Sequence, residues 1–411
     1  MTISTPRTRA ERLLVPAAFV TALGNNVQLI AGALLVLRAD RTMLSVGWLF
    51  IAVAAPQVLL SPVFGRLADR VDRRRLWLGS DLTSALVALA LPLWLWQGGA
   101  AGPGIYVANL ALAVLSALFF PASAALIKER VPAERLRRFN ANYEMATQAG
   151  MFLSATVGGL CVQAFGAVPL LLGNAGTFVV SALCVAAVGG RARTPEHQSA
   201  LPEQAPRADR PRLGRQILLF AQSSVVVTIF NALLPKLMLG EFHRGAGTYG
   251  AADALGSLGF LAATWSYRVV APKLGDSRVA LIGYLLCDVV FALQPNVGVG
   301  GLFPLVLLGA FLFGHARIAS RNLLMASVDP RYAGRVFGTA NGGGLAATIV
   351  AMLVVAELTD RTDCTYGFAA TALLSSAAVA AYAASAYAAR LTGARPSAGQ
   401  PAPAPAEVRS C

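Results

Sequence analysis

The chain has 411 residues, 56% apolar and only 13% charged, with a mean hydropathy of +0.61. A soluble globular domain carries about 25% charged residues, so half the expected charge is missing and a soluble fold of this size is excluded. The net charge of +14 does not point to nucleic acid, because the basic residues sit in short runs between long apolar stretches rather than on one phosphate-binding face.

In chain order, charge-free stretches predict the spans, since a helix needs about 20 apolar residues to cross a bilayer. Residues 13–37 form the first; the segment follows Arg7, Arg9 and Arg12 but is too long for a cleaved signal. Residues 42–65 form the second. Residues 82–127 hold two spans separated by the turn-rich stretch from Gln97 to Gly104, and 145–190 hold two more, parted near Phe165. The plan then repeats at 216–235, 248–270, 279–293, 300–325, 336–356 and 366–389.

Orientation follows from the loops. Every second loop is basic, at 66–75, 128–138, 191–215, 268–278 and 317–335. Of the 34 basic residues, only Arg38, Arg41, Lys236, Arg244 and Arg361 fall on the other side. Lys and Arg stay cytosolic, which requires an even number of spans with both termini inside. The expected fold is therefore an all-α membrane protein of 12 transmembrane helices in two six-helix halves, residues 1–190 and 215–390. A polar, Pro- and Arg-rich linker at 191–214 joins them, and a Pro-Ala tail at 391–411 reads as disordered. Two similar helical halves around a midplane site is an architecture of transporters.

The most specific local pattern is Gly65-Arg-Leu-Ala-Asp-Arg-Val-Asp-Arg-Arg-Arg-Leu76. It resembles the signature loop of the major facilitator superfamily, roughly G-x-L-A-D-R-x-G-R-R/K. Gly65, Leu67, Ala68, Asp69, Arg70, Arg73 and Arg74 match in place, while Asp72 stands where a second glycine is usual. That departure, with Pro121 to Ile127, Val131 to Leu136, Asn140 to Asn142 and Asp329 to Phe337, resembles the drug:proton antiporter branch that includes macrolide and siderophore exporters. In such a loop Asp69 meets the positive end of a helix in the other half, and Gly65, Arg70, Arg73 and Arg74 complete a latch closing the cytosolic side. A basic loop that merely fixes topology accounts for the arginines but not for Gly and Asp at this spacing. The antiporter pattern of span five, G-x-x-x-G-P-x-x-G-G, is half present: Gly150, Gly158 and Gly159 remain, but Ser154-Ala155 replace Gly-Pro. Small residues at this spacing also fit close helix packing.

Polar groups within spans are candidates for the substrate or proton pathway, because they are costly in lipid unless paired or facing a cavity. Asn25, Asn26 and Gln28 near the middle of span one fit either a solute site or interhelical hydrogen bonding. Glu144 and Gln148, one turn apart on span five, share a face; Glu144 fits either a pathway or the latch network. Asp253 on span eight is a candidate proton carrier or an ionised group at the mouth. His315 and Arg317 on span ten, Asn231 on span seven and Asn341 on span eleven complete the set. Asp81 and Asp288, on spans three and nine, read as structurally paired.

The five cysteines match neither a disulfide framework nor a metal spacing, and no metal site is expected. No Walker A sequence or nucleophile motif is present, so no enzyme activity and no cofactor are expected, and a proton gradient is the expected energy source. The resemblance implies a monomeric secondary transporter exporting a small organic molecule such as a drug, natural product or siderophore-like compound. The alternatives are an importer or uniporter of the same fold, or a membrane-embedded lipid-modifying enzyme. The expected partners are the lipid bilayer and the solute, with no nucleic acid. The excess of Arg over Lys and the abundance of Ala point to a GC-rich bacterial genome, so the expected location is a bacterial cytoplasmic membrane.

Overall fold

The computed structural model describes residues 9–40, 43–165, 167–189, 210–244 and 246–391, with the side chains of 29–40, 43–52, 101, 155–165, 167, 210–211, 239, 246–247 and 390 outside that description. Twelve long α-helices occur among these residues. They are α1 (Arg9–Asp40), α2 (Met43–Arg70), α3 (Arg73–Trp96), α4 (Ala101–Arg130), α5 (Ala133–Phe165), α6 (Ala167–Ala187), α7 (Arg210–Pro235), α8 (Ala246–Leu274), α9 (Asp276–Leu293), α10 (Gly298–Ser327), α11 (Ala333–Arg361) and α12 (Cys364–Leu391). Eight of them, α3, α4, α6, α7, α9, α10, α11 and α12, are long and apolar enough to cross a membrane by length and composition. Several helices outrun the apolar stretches that foretold them: α2 continues through Asp69 and α5 begins a dozen residues before its charge-free run. α7 begins at Arg210, inside the stretch expected as linker; the rest of that stretch and the tail beyond Leu391 lie outside the described residues.

Local chemistry places the helix ends. Asp72, in the position where the resemblance expects glycine, caps α3: its carboxylate accepts from the backbone N–H of Arg74 at 2.9 Å and of Arg75 at 3.0 Å, satisfying donors that a helix start leaves orphaned. Gly275, with φ at +81°, makes the sharp turn between α8 and α9 that a side chain would strain.

Packing divides the helices into two sets. α1 packs on α5 and α6, and α3 on α4 and α6; in the other set α10 packs on α8 and α9, and α7 on α11 and α12. The sets meet along two seams, α2 and α4 against α11, and α5 against α8 and α10. The buried aliphatic and aromatic residues form one large cluster in the second set and another that bridges the sets, while many large apolar side chains such as Leu86, Trp265 and Leu373 point outward. Outward-facing apolar residues in such number suit a hydrocarbon surround, not water.

Candidate functional site: a two-seam closure beneath a central cavity

Both seams are tightest at one end of the bundle, the end carrying the turns between α2 and α3, α4 and α5, α8 and α9, and α10 and α11. We call it the basic end.

On the first seam α11 lies backbone to backbone against α2. A Cβ at Gly65 would stand 2.5 Å from Gly334 O, and one at Gly338 would collide with Ser61 O and stand 3.0 Å from Gly65 Cα. Gly342 continues the contact against Val58 and Pro62. The spacing of Gly334, Gly338 and Gly342 puts all three on one face of α11. α11 has no capping side chain of its own. Asp69 supplies one from α2, accepting from Gly334 N at 2.7 Å and Arg335 N at 2.9 Å. A carboxylate on two orphan N–H groups at the positive end of a helix is favourable on both counts.

Arg73 reaches across the same seam, donating to Pro330 O at 2.5 Å, and also pairs with Glu129 at 3.1 Å. Lys128 donates to Met325 O at 2.6 Å, on the last turn of α10. Asn341 bonds Ser61 at 3.1 Å. Arg74, expected in the latch, does not cross: its guanidinium serves carbonyls of its own set, Val185 O and Ala186 O, at the end of α6. The geometry explains this, because α3 turns Arg74 toward α6 while Arg73 faces α11. Arg70 is exposed.

The second seam is polar. Glu144 on α5, with a side chain 3% exposed, lies between Arg321 (2.5 Å) and Arg317 (3.3 Å) of α10. Asn140 donates to Asn322 at 2.7 Å, Asn322 to Tyr267 OH at 2.9 Å, and Tyr267 OH to Asp276 at 2.5 Å. Arg137 closes the chain with a forked contact on Asp276, and Arg268 donates to Asn142.

Beyond these cross-links, toward the opposite end, lies a cavity of about 280 Å³. Five phenylalanines line it, Phe152, Phe230, Phe260, Phe291 and Phe313, with the amides Asn26, Gln148 and Asn231. Asp253 is the single charged group among the described lining residues. Asn26 is held from α5, donating to Ser154 at 2.6 Å and Met151 O at 3.1 Å.

Four of the sequence candidates, Asn26, Gln148, Asn231 and Asp253, thus share one cavity, and Glu144 and Arg317 form one ion pair. The others lie elsewhere. Gln28 accepts from Asn174 within the α1–α6 interface, and Asn25 is half-buried. His315 is wedged between α8 and α10, with Nδ1 on Phe311 O and Nε2 on Ser266; donation to a carbonyl makes Nδ1 the protonated nitrogen and leaves Nε2 to accept. Gly150 packs against the α1 backbone at Phe19 O, while the surroundings of Gly158 and Gly159 lie outside the described residues. Asp81 and Asp288 are buried in matching places: Asp81 accepts from Ser181, itself bonded by Thr21, and Asp288 accepts from Ser376.

Sequence reasoning missed Arg321, Asn322 and the Arg137–Asp276 link, and it noted Asn140 only within a stretch of resemblance, not as a cross-link. Arg317 and Arg321 stand one helical turn apart, a spacing that could have flagged the pair.

The profile of the Major Facilitator Superfamily matches residues 14–344. The chain belongs to that superfamily. It is accordingly a multi-pass membrane transporter, not an enzyme. Among curated relatives, an uncharacterized MFS-type transporter of Bacillus subtilis, YfiS, is 25% identical over 370 residues, covering 82% of this chain and 84% of the relative. The multidrug efflux pump Tap of Mycobacterium tuberculosis is 23% identical over 379 residues, covering 88% and 90%. Among solved structures, a bacterial homologue of the iron transporter ferroportin in the outward-facing state superposes with a TM-score of 0.74 at 16% identity, covering 91% of this chain and 99% of that one. At that identity the likeness concerns the fold alone.

Proposed function

We propose that this transporter exports a small amphiphilic organic molecule, driven by the proton gradient and working by alternating access. In this reading all twelve helices cross a bacterial cytoplasmic membrane with both termini inside, and residues 1–190 rock as a unit against 215–390, the chain acting as a monomer. The basic end is then cytosolic, and Asp69, Gly65 and Arg73 are its latch. The observation that carries the reading is the position of the cavity directly beyond that closed end, lined by helices of both sets. Rocking about such a site exposes it to one side at a time. Similarity to an efflux pump over most of both chains supports the outward direction.

The lining sets the solute class. Five phenylalanines offer apolar contact at ring faces, and three amides offer few hydrogen-bond partners, too few for a sugar. With Asp253 as the single charged lining group, the cavity suits an amphiphile better than a dication. Asp253 is also the group placed to exchange a proton with the gradient.

Accumulation of fluorescent amphiphiles in a pump-deficient bacterial host tests this. Cells expressing the protein should accumulate less dye, and a protonophore or Asp253→Asn should remove the difference. Each methylene buried is worth about 0.8 kcal/mol, so within a homologous series export should strengthen with chain length until the cavity is filled. Higher accumulation than in empty cells would establish an importer instead, and a protonophore-resistant difference would exclude proton coupling.

A further inference from the structure

The ionic cluster on the second seam is out of charge balance. Two guanidinium groups, Arg317 and Arg321, face one carboxylate, Glu144. Arg321 has a side chain 7% exposed; one of its nitrogens reaches Glu144, while its Nε is buried without a partner. Its flat face rests on Tyr143, 4.6 Å from the ring centroid. Asp276, on the same seam, is engaged by Arg137 and Tyr267, and Arg268, which bonds Asn142, adds a further positive charge rather than a counter-ion. Arg321 takes the nearer carboxylate oxygen, so Arg317, with a side chain 25% exposed, is the cation left over, and a bound anion would pair it.

The cluster is also continuous with the cavity. Glu144 is one helical turn below the lining residue Gln148, and Arg317 one turn below the lining residue Phe313, a step of about 6 Å along each helix. A ligand in the cavity therefore needs to extend a single turn toward the basic end to meet the arginines.

We propose that Arg317 and Arg321 form a binding site for the carboxylate of an amphiphilic substrate, and that Glu144 occupies this site from within whenever the basic end is closed. The inference rests on the export reading above. A planar guanidinium fork matches a carboxylate, and Glu144 already displays the ligand in place. When the basic end opens, α10 parts from α5 and leaves two unmatched cations on the cavity floor, which recruit an anionic head from the cytosol. When it closes, Glu144 returns and displaces that head toward the far side. The release step thus uses the closing motion itself and needs no separate trigger.

The test is equilibrium binding of dansylaminoundecanoic acid and of its methyl ester to the purified full-length protein, followed by dansyl fluorescence. The acid should bind the wild type about tenfold more tightly than the ester, the worth of one charge-assisted pair. Arg317→Gln should bring the two ligands together, with Arg317→Lys intermediate. Glu144→Gln, which removes the internal competitor, should tighten the acid by about tenfold and leave the ester unchanged. Equal binding of acid and ester to the wild type overturns the proposal. So does an equal change for both ligands in Glu144→Gln, which would mark Glu144 as a latch and nothing more. In either case, continued export of the ester by cells would leave the export reading standing. If neither ligand binds and neither is exported, the cavity reading fails together with the proposal.

Discussion

Glu144→Ala is expected to weaken closure of the basic end by about 3–5 kcal/mol, the cost of leaving a buried charge without its partner. Glu144 touches both Arg317 and Arg321, so its removal strands two like charges one helical turn apart. Nothing among the described residues is placed to replace it, since Asp276 already serves Arg137 and Tyr267. An effect of that size moves a two-state equilibrium by about a hundredfold to a few thousandfold, enough to invert the preference for a closed basic end. The expected readout is a lower melting temperature in detergent together with new reactivity of cysteines introduced along the seam. Arg321→Ala should be more damaging than Arg317→Ala, because the Arg321 side chain is 7% exposed and that of Arg317 is 25% exposed, so water already screens the second. If Glu144→Ala melts like the wild type and the seam stays unreactive, the ion pair does not hold the end shut.

Gly338→Val is expected to prevent the first seam from closing at all. The added Cβ would collide with Ser61 O and crowd Gly65 Cα, and neither is a side chain that can swing away. Overpacking of this kind costs about 1–3 kcal/mol or more, and relief requires α2 and α11 to separate along the length that also places Asp69 on Gly334 N. One substitution therefore removes both the close packing and the helix cap. Gly343 is the matched control: it follows in the same helix but faces open space, with nothing within 4 Å of its added Cβ. Gly343→Val should leave expression and export near the wild-type level, while Gly338→Val should abolish export with the protein still in the membrane. Equal export by the two variants would contradict the close seam.

Eight of the twelve helices were legible in the sequence because they carry what lipid requires, a long apolar stretch of about 20 residues. The actual helix ends lay further out, since capping by Asp72 and the extension of α2 past Asp69 depend on local hydrogen bonds rather than on hydropathy. A helix start in the other half was expected opposite Asp69, and α11 presents its first N–H groups there; Gly65 packs on the same helix. The division of labour among the arginines was not legible. Arg73 and Arg74 are neighbours in sequence, yet a helix turns them about 100° apart, one toward α11 and the other toward α6. The amides of span one illustrate the same limit: Asn26 lines the cavity and Gln28 is locked against Asn174. His315 stood out as a titratable group in a span, but the face it occupies on α10 points to Ser266 and not to the cavity. Pairings across more than a hundred residues, such as Glu144 with Arg321, depend on how two helices are docked, which periodicity within one helix does not encode.

Alternating access through opening of the basic end is tested most directly by pulsed electron paramagnetic resonance between paired spin labels. The protein would first be freed of its own cysteines. One pair spans the basic end, on Arg75→Cys and Arg331→Cys, and a second spans the opposite end, on Gln97→Cys and Thr362→Cys; all four positions are exposed. The account predicts that Asp69→Asn, which costs about 1–3 kcal/mol through one unsatisfied N–H and a lost charge at the helix end, lengthens the first distance and shortens the second in the same molecules. Unchanged distances at both ends, or lengthening at both, would contradict it.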